Sequence, residues 1–386
     1  MEFDVIVVGA GPAGASTALA LASQGMRIAL AGSDARRARN VELGEILSAD
    51  VTPSLHRLGL VSRFKQLDLT EVSGYSSTWG AENPESRSSL LMHRGCGWLL
   101  ERSAFLGMLV HAAADAGCTL IHDDVVLCQQ DGGRWRLRTR EGKRELQGRI
   151  AVFATGRSSS VVRPPTRPRR VDKLVAYVAV FPGHLGRNQM VRVVACPRGW
   201  AYSAASGKSG SVIAFFTDAD ETPRAPNKRN ELIVRAMQAI GLQPPENTGA
   251  EAVVRVTPCA SMFLPVATGD DWIACGDAAQ TVDPLSAMGI GNAIQDAIKA
   301  SEIVPSLLSG RRSVALEREL ARRKWYLEYL LTRAAYYRRE RRWAHEPFWA
   351  RRHDLSGIQS FVCRHDSAYE SASSDEHASA HRSEQC

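Results

Sequence analysis

The stretch Gly9-Ala-Gly-Pro-Ala-Gly14 constrains the fold more than any other part of the chain. It stands between Asp4-Val-Ile-Val-Val8, which reads as a buried strand, and Ala13 to Gln24, an alanine-rich run that reads as a helix. In that strand–turn–helix setting a Gly-x-Gly-x-x-Gly spacing binds the pyrophosphate of a dinucleotide. Gly9 permits the tight turn, Gly11 lets phosphate approach the backbone, and Gly14 lets the helix pack on the strand. The helix start at Pro12 and Ala13 then turns a positive dipole end and free N–H groups toward the phosphates. The plainer alternative is a purely structural glycine turn. Alone, the fingerprint leaves NAD, NADP and FAD open.

A second stretch narrows the choice. Asp271-Trp-Ile-Ala-Cys275 is another apolar run, and it ends at Gly276-Asp277. A carboxylate just after a strand accepts hydrogen bonds from a ribityl hydroxyl; its plainer alternative is a helix N-cap. Further on, Pro284 and the run Gly289-Ile290-Gly291 allow backbone to pass close to a flat ring before a helix from Asn292 onward. Together these motifs resemble the flavoprotein monooxygenase superfamily, which also contains flavin halogenases and geranylgeranyl reductases. The resemblance covers roughly residues 3 to 350. Its other marks are Gly44-Glu45-Ile-Leu47, Leu100-Glu-Arg102 and Ala154-Thr155-Gly156. It implies FAD as cofactor, with Gly9, Gly11, Pro12, Ala13, Gly14, Ser33, Glu45, Arg102, Thr155, Gly156, Gly276, Asp277, Pro284, Gly289 and Ile290 around it. It also implies molecular oxygen as co-substrate.

Size and composition agree with a large enzyme. At 386 residues the chain can bury a sizeable core and form two domains. No apolar run is long enough for stable membrane insertion, and Met1-Glu-Phe-Asp4 leads straight into the first strand, so a cytoplasmic location is expected. The eight cysteines are scattered, several within apolar stretches, and read as reduced. No cysteine or histidine spacing suggests a metal site. The net charge of +7 gathers late: thirteen Arg or Lys against five acids lie between Arg311 and Arg352, interleaved with aromatics. A nucleic-acid surface is one reading of such a mixture. A helix with a solvated basic face accounts for it more simply, and a docking face for an acidic partner stands between the two.

The texture along the chain divides it. Residues 1–164 and 253–310 form a discontinuous Rossmann-like α/β domain that binds FAD. Residues 165–252 alternate apolar and polar through Leu174–Phe181, Met190–Cys196 and Ser211–Thr217, which predicts an inserted antiparallel-sheet substrate domain. The Pro/Arg-rich run Arg163–Arg170 reads as the linker between them. Residues 311–352 form a helical C-terminal cap, and 353–386 turn polar and read as a disordered tail.

The chain departs from the family pattern in two places. After the second strand the expected ribose-binding acid is replaced by Gly32-Ser33-Asp34, so Ser33 or Asp34 takes that role. Where aromatic hydroxylases that use NAD(P)H carry Asp-Gly, this chain has Thr155-Gly156, which leaves NAD(P)H and an external reductant both open. Flavin halogenases carry a lysine before the position of Trp79-Gly80, and no lysine lies between Gln66 and Lys143 here. The runs Ser73–Gly80, Gly97–Arg102, Gly199–Ser203 and Thr217–Asp220 are most similar to bacterial flavoproteins that modify tryptophan in a partner protein during quinone cofactor biogenesis. The substrate so implied is a Trp-containing protein, with a small aromatic molecule as the other candidate. Oligomeric state is not read from these features.

Candidate substrate-pocket residues are Trp79, Trp98, Trp200 and Tyr202, which stack an indole or, equally, fill a core. Candidate catalytic residues are His93, whose imidazole titrates near neutral pH, together with Trp200 and Tyr202. Glu45 bridges cofactor contacts or caps a helix, and Arg102 meets FAD or a surface carboxylate. The expected reaction is hydroxylation of an electron-rich ring held in a dry cleft, with no side chain acting as nucleophile; halogenation of a small aromatic, reduction of an isoprenoid double bond and a non-catalytic flavoprotein are the alternatives.

Overall fold

The structure, a computed structural model, describes residues 1–32, 45–88, 97–141, 145–157, 164–183, 190–206, 210–222, 225–244, 253–359 and 361. Ser33, Asp34, Gly44, His93 and the tail from 362 onward lie outside the described residues.

The first layer is a sheet built on Glu2–Val8. That strand pairs in parallel with Ile28–Ala31 on one side and Glu145–Phe153 on the other. Thr119–Ile121 extends one edge, and Trp272–Ala274 joins the far half of Glu145–Phe153, both in parallel. The near half of Glu145–Phe153 instead takes the antiparallel hairpin Val125–Asp131 and Arg134–Thr139. The central strands read as unbroken apolar runs because both faces are covered: Val5, Ile6 and Val7 are fully buried. On one face the helix Pro12–Ala22 lies between Arg102–Asp115 and Gly289–Leu308. Its small alanines let the three helices approach closely. Phe3, Trp135, Phe153 and Trp272 cover the other face.

The second sheet has seven strands, in the order Arg255–Pro258, Leu174–Pro182, Gly210–Asp218, Gly199–Ser206, Met190–Cys196, Gly74–Thr78 and Glu85–Ser88. It reaches outside the 165–252 span at both ends, and one contact breaks its antiparallel pattern: Met190–Val194 runs parallel to Gly74–Thr78. Period-two alternation divides each strand between two cores. Tyr177, Ala179 and Phe215 face the amphipathic helix Pro226–Ile240. Ala176, Val178 and Phe216 face the C-terminal helices Ser313–Tyr337 and Pro347–His353. The end of the expected linker is itself paired, Arg169–Arg170 against Met262–Phe263.

Two sequence expectations change in the C-terminal region. The basic run is only partly a solvated face: Arg318, Arg322 and Arg352 are buried, on Asp296, Glu319 and Asp218 respectively. These guanidinium groups tie elements together from inside. The polar tail also starts later than residue 353. His353 Nε2 lies 3.1 Å from the Tyr337 carbonyl, while Ile358 and Phe361 pack on the cluster of Phe263 and Tyr326. No helix among the described residues is long and apolar enough to cross a membrane.

Candidate cofactor site

The first glycine turn is fixed by lack of space. Gly9 has φ +108°, and a Cβ there would stand 2.3 Å from the Ala154 carbonyl oxygen. A Cβ on Gly14 would stand 1.8 Å from the Gly9 oxygen. Gly11 differs: nothing lies within 4 Å of where its Cβ would be. The middle glycine therefore faces open space that the chain itself does not fill. The helix behind it has Gly11 at its N-cap without a side-chain cap, and its first intrahelical bond runs from Ala15 N to Gly11 O at 2.9 Å. The N–H groups of Ala13 and Gly14 thus point out of the helix end, while Pro12 has none to leave unpaired. A pyrophosphate fits these free donors and the space beside Gly11.

Beside the turn, a cleft of about 830 Å³ opens at the carboxyl ends of Ile28–Ala31 and Thr119–Ile121. Ala10, Gly32, Glu101, Ser103 and His122 line it. That is where open α/β sheets bind nucleotides, and the volume suits the adenosine end of FAD. Glu101 entered the sequence reading only as the middle of Leu100-Glu-Arg102, and Ser103 and His122 were not singled out. For Ser103 the signal was the start of the helix that follows this run, and for His122 the end of the strand Thr119–Ile121.

The second motif touches the first. Gly276, at φ +60°, would place a Cβ 2.6 Å from that of Ala13, so only glycine lets the two turns meet. Its N–H donates to Asp296 Oδ2 at 2.9 Å, and Arg318 Nη2 donates to Asp296 Oδ1 at 2.8 Å and to the Ala274 carbonyl at 3.0 Å. Asp277 does not act as an N-cap; Cys275 occupies that position without a side-chain bond. The Asp277 carboxylate instead accepts from Arg157 Nε at 2.9 Å. Arg157 is pinned in turn by the carbonyls of Ala260 at 3.2 Å and Val282 at 3.0 Å. Arg157, just past Thr155 and Gly156, is a site residue that sequence reasoning missed. A positively flanked, one-third-exposed carboxylate remains available to ribityl hydroxyls.

The loop after Val282 is anchored by Asp283, which is 1% exposed. Its Oδ1 accepts from Leu285 N at 3.0 Å, and its Oδ2 accepts from Arg333 Nε at 3.0 Å and the Tyr337 hydroxyl at 2.9 Å. Pro284 opens a single 3-10 turn, Ala287 takes φ +51°, and the helix Gly289–Leu308 follows with no side-chain cap. Its first described bond is Asn292 N to Met288 O at 2.8 Å, so the N–H groups of Gly289, Ile290 and Gly291 are left for a ligand. These donors and the bare Cα atoms of Gly289 and Gly291 fit the polar edge of a flat ring.

Glu45 and Arg102 are brought together: Arg102 Nη1 donates to both Glu45 oxygens, at 2.6 and 2.7 Å. The pair sits at the start of the helix Arg102–Asp115, where the carboxylate offsets a cation that the helix dipole disfavours. Close by, the half-buried Tyr202 joins Ile46, Val72, Leu99 and Val191 in one cluster bridging the second sheet and the first layer. Burial, then Tyr75 and Glu45, push its hydroxyl well above the usual phenol range, so it stays protonated.

Tyr202 also packs against the cluster that contains Trp79 and Trp200, whereas Trp98 lies apart from it. Trp200 is 1% exposed, stacked on Phe216 with centroids 3.7 Å apart, and its Nε1 donates to the Tyr337 hydroxyl at 3.1 Å. Trp79 is buried against Tyr336, Tyr337 and Trp349, with its Nε1 on the Tyr336 carbonyl at 3.1 Å. Both weld the sheet to the C-terminal helices, so a catalytic or stacking role for Trp200 does not suit its surroundings. Trp98 lies edge-on to Phe64 at 4.9 Å, in the first layer. Among the described residues no group of His, Cys, Asp and Glu could hold a metal ion.

A family model described as an FAD-binding domain matches residues 2–319. The chain is 29% identical over 372 residues to a Marinomonas mediterranea protein named as an FAD-dependent oxidoreductase, LodB, covering 93% of this chain and 99% of that one. Among solved structures, the peptidyl tryptophan dihydroxylase QhpG shares the fold at a TM-score of 0.76 and 24% identity, over 92% of this chain and 79% of its own. The myxobacterial chondrochloren halogenase CndH does so at 0.77 and 20%, over 91% and 86%.

Proposed function

This chain belongs to the FAD-binding domain family and is an FAD-dependent oxidoreductase, and from that premise we propose that it is a monooxygenase acting on the indole of a tryptophan. The tryptophan is carried by a partner protein, O2 is the co-substrate, and NAD(P)H or an external reductant supplies electrons. The observation that carries this reading is the seam between the layers. The second sheet sets Tyr202 against Ile46 and Leu99, beside Glu45 and Arg102, over the layer that holds the cofactor motifs. An apolar, aromatic cover excludes water from chemistry that water would divert. Support for the substrate comes from QhpG, whose name states peptidyl tryptophan dihydroxylation, and whose fold this chain shares.

When bound, FAD supplies the redox chemistry, accepting electrons from a donor and passing them to oxygen. The chain holds and orients it. The Ala13 and Gly14 N–H groups take the pyrophosphate, Asp277 steadied by Arg157 takes the ribityl hydroxyls, and the Gly289–Gly291 N–H groups take the ring edge. Tyr202 closes the seam and keeps its proton. A halogenase reading is disfavoured by the missing lysine before Trp79-Gly80.

The test is turnover under labelled oxygen. The FAD-loaded protein, reduced chemically without air, is mixed with 18O2 and either a Trp-containing peptide or free tryptophan. Label in the peptide, found by mass spectrometry at the tryptophan, is expected. Reoxidation to hydrogen peroxide with no labelled product from any aromatic would overturn the reading.

A further inference from the structure

Beyond the cofactor layer, a groove of about 480 Å³ runs between the loop after Asp283 and the long helix Ser313–Tyr337. Its walls include Leu285, Met288, Trp325, Glu328, Thr332 and Tyr336. The volume lies in the range of about 300–1,000 Å³ usual for ligand clefts. Trp325 and Tyr336 are half-buried and present ring surface, and Met288 is 40% exposed. Glu328 is exposed and makes no ion pair among the described residues, so the groove combines aromatic walls with one free hydrogen-bond acceptor. That chemistry suits a flat ring carrying an N–H.

The segment that follows the groove wall in sequence adds a second, independent property. Arg338, Arg339 and Arg341 follow the end of the long helix, are exposed, and make no ion pair among the described residues. Arg339 stands over the Tyr336 ring at 5.5 Å, which ties this cluster to the groove wall. Nearby Glu340 does not offset it, because its carboxylate is committed to Arg342 and the Gly80 N–H. A helix C-terminus favours cations. Arg339 reaches the groove wall, and with Arg338 and Arg341 next to it in sequence it sets up a positive field that an acidic chain meets first.

We propose that this groove is the docking site of the partner protein: it seats an aromatic side chain of an acidic segment, whose carboxylates meet Arg338, Arg339 and Arg341. The inference rests on the reading of a protein-borne tryptophan as substrate and locates the surface that recognises it. Leu285 and Met288 belong to the loop that precedes the helix Gly289–Leu308, so a segment seated there lies against the cofactor motif itself.

The experiment measures binding without turnover, on the full FAD-loaded chain. Fluorescein-labelled peptides with one Trp flanked by Asp and Glu are compared with the same peptide flanked by Lys, and with Trp replaced by Ala. The acidic Trp peptide is expected to bind tightest, and more weakly as salt rises. Arg339→Glu with Arg341→Glu should weaken it by roughly tenfold or more through like-charge contact. Thr332→Trp, on an exposed position, should block the groove, with flavin content and circular dichroism unchanged in both variants. Equal binding of acidic and basic peptides, or binding indifferent to Thr332→Trp, would overturn the proposal. So would an oligonucleotide that displaces the peptide, or a dimer of this chain that Thr332→Trp dissolves. Labelled free tryptophan from a protein that ignores the peptides sinks the docking site and leaves the oxygenase reading standing; peptide binding without oxygen transfer does the reverse.

Discussion

Tyr337 and Asp283 form the joint between the C-terminal cap and the cofactor loop: the phenol donates to Asp283 Oδ2 at 2.9 Å while accepting the Trp200 indole N–H at 3.1 Å. Burial, then the Asp283 charge, hold the Tyr337 hydroxyl well above the ordinary phenol range, so it keeps the proton it donates. Arg333 balances Asp283 and reaches on to Asp172 at 2.8 Å. One hydroxyl therefore couples second sheet, cap and loop.

Removing it tests that coupling. Tyr337→Phe leaves the buried Trp200 N–H without its partner and should cost about 1–3 kcal/mol of stability, read from urea unfolding. It should also speed FAD release, because the loop of Pro284 loses one tether. The double variant Tyr337→Phe, Trp200→Phe should cost less than the two single changes added together. Additive costs would show that the two residues act separately.

The two outer glycines and the middle one of the first turn should fail in different ways. Gly14→Val drives side-chain atoms into the Gly9 carbonyl and should prevent folding or lower expression sharply. Gly11→Val meets no protein atom within 4 Å of its Cβ. It should fold normally by circular dichroism yet lose FAD, seen as a collapse of the flavin-to-protein absorbance ratio. A Gly11→Val protein that keeps tight FAD would move the pyrophosphate elsewhere.

This contrast also explains what the sequence made legible. Glycine turns act through local backbone geometry, so the cofactor layer could be read residue by residue. Direction of a side chain is a tertiary matter, and there reading stopped. Trp79, Trp200 and Tyr202 stand in similar local contexts, yet the two tryptophans plug the core while Tyr202 sits at its edge and reaches the seam as well. Gly74–Thr78 joins a sheet formed mostly by residues a hundred positions later, a pairing with no local signature. Arg318, Arg322 and Arg352 look like surface charge in a basic run, and only the fold reveals their buried carboxylates.

The Arg318–Asp296 pair should matter for that reason. Its side chains are 6% and 14% exposed, and Asp296 also holds the Gly276 N–H. Asp296→Ala removes the nearer counter-charge of a buried guanidinium and leaves Glu319 at 3.9 Å, and loss of a buried partner costs up to about 3–5 kcal/mol. The expected result is a large drop in melting temperature together with weaker FAD binding, since the Gly276 turn loses its anchor. Saturating FAD should recover part of the stability by mass action. A variant with unchanged unfolding would mean that Glu319 alone balances Arg318.

Alkaline pH should expose the buried thiols. Burial pushes Cys118, Cys128, Cys259 and Cys275 up to about 12, from 9.0 for a free thiol. An acid whose pKa is raised on folding binds its proton more tightly in the folded state. The stability it adds is complete below pH 9 and is lost as pH climbs from 9 toward 12, because the unfolded chain ionises first. Denaturant midpoints should therefore hold level on this account up to pH 9 and fall beyond it. In the folded protein at neutral pH the buried thiols of Cys118, Cys259 and Cys275 should resist a thiol-reactive dye and react promptly once urea unfolds the chain, while the half-buried Cys128 should react sooner. Fast labelling of Cys275 in the folded state would contradict its position beneath the Gly276 turn, where its sulfur lies 3.7 Å from the Thr17 hydroxyl.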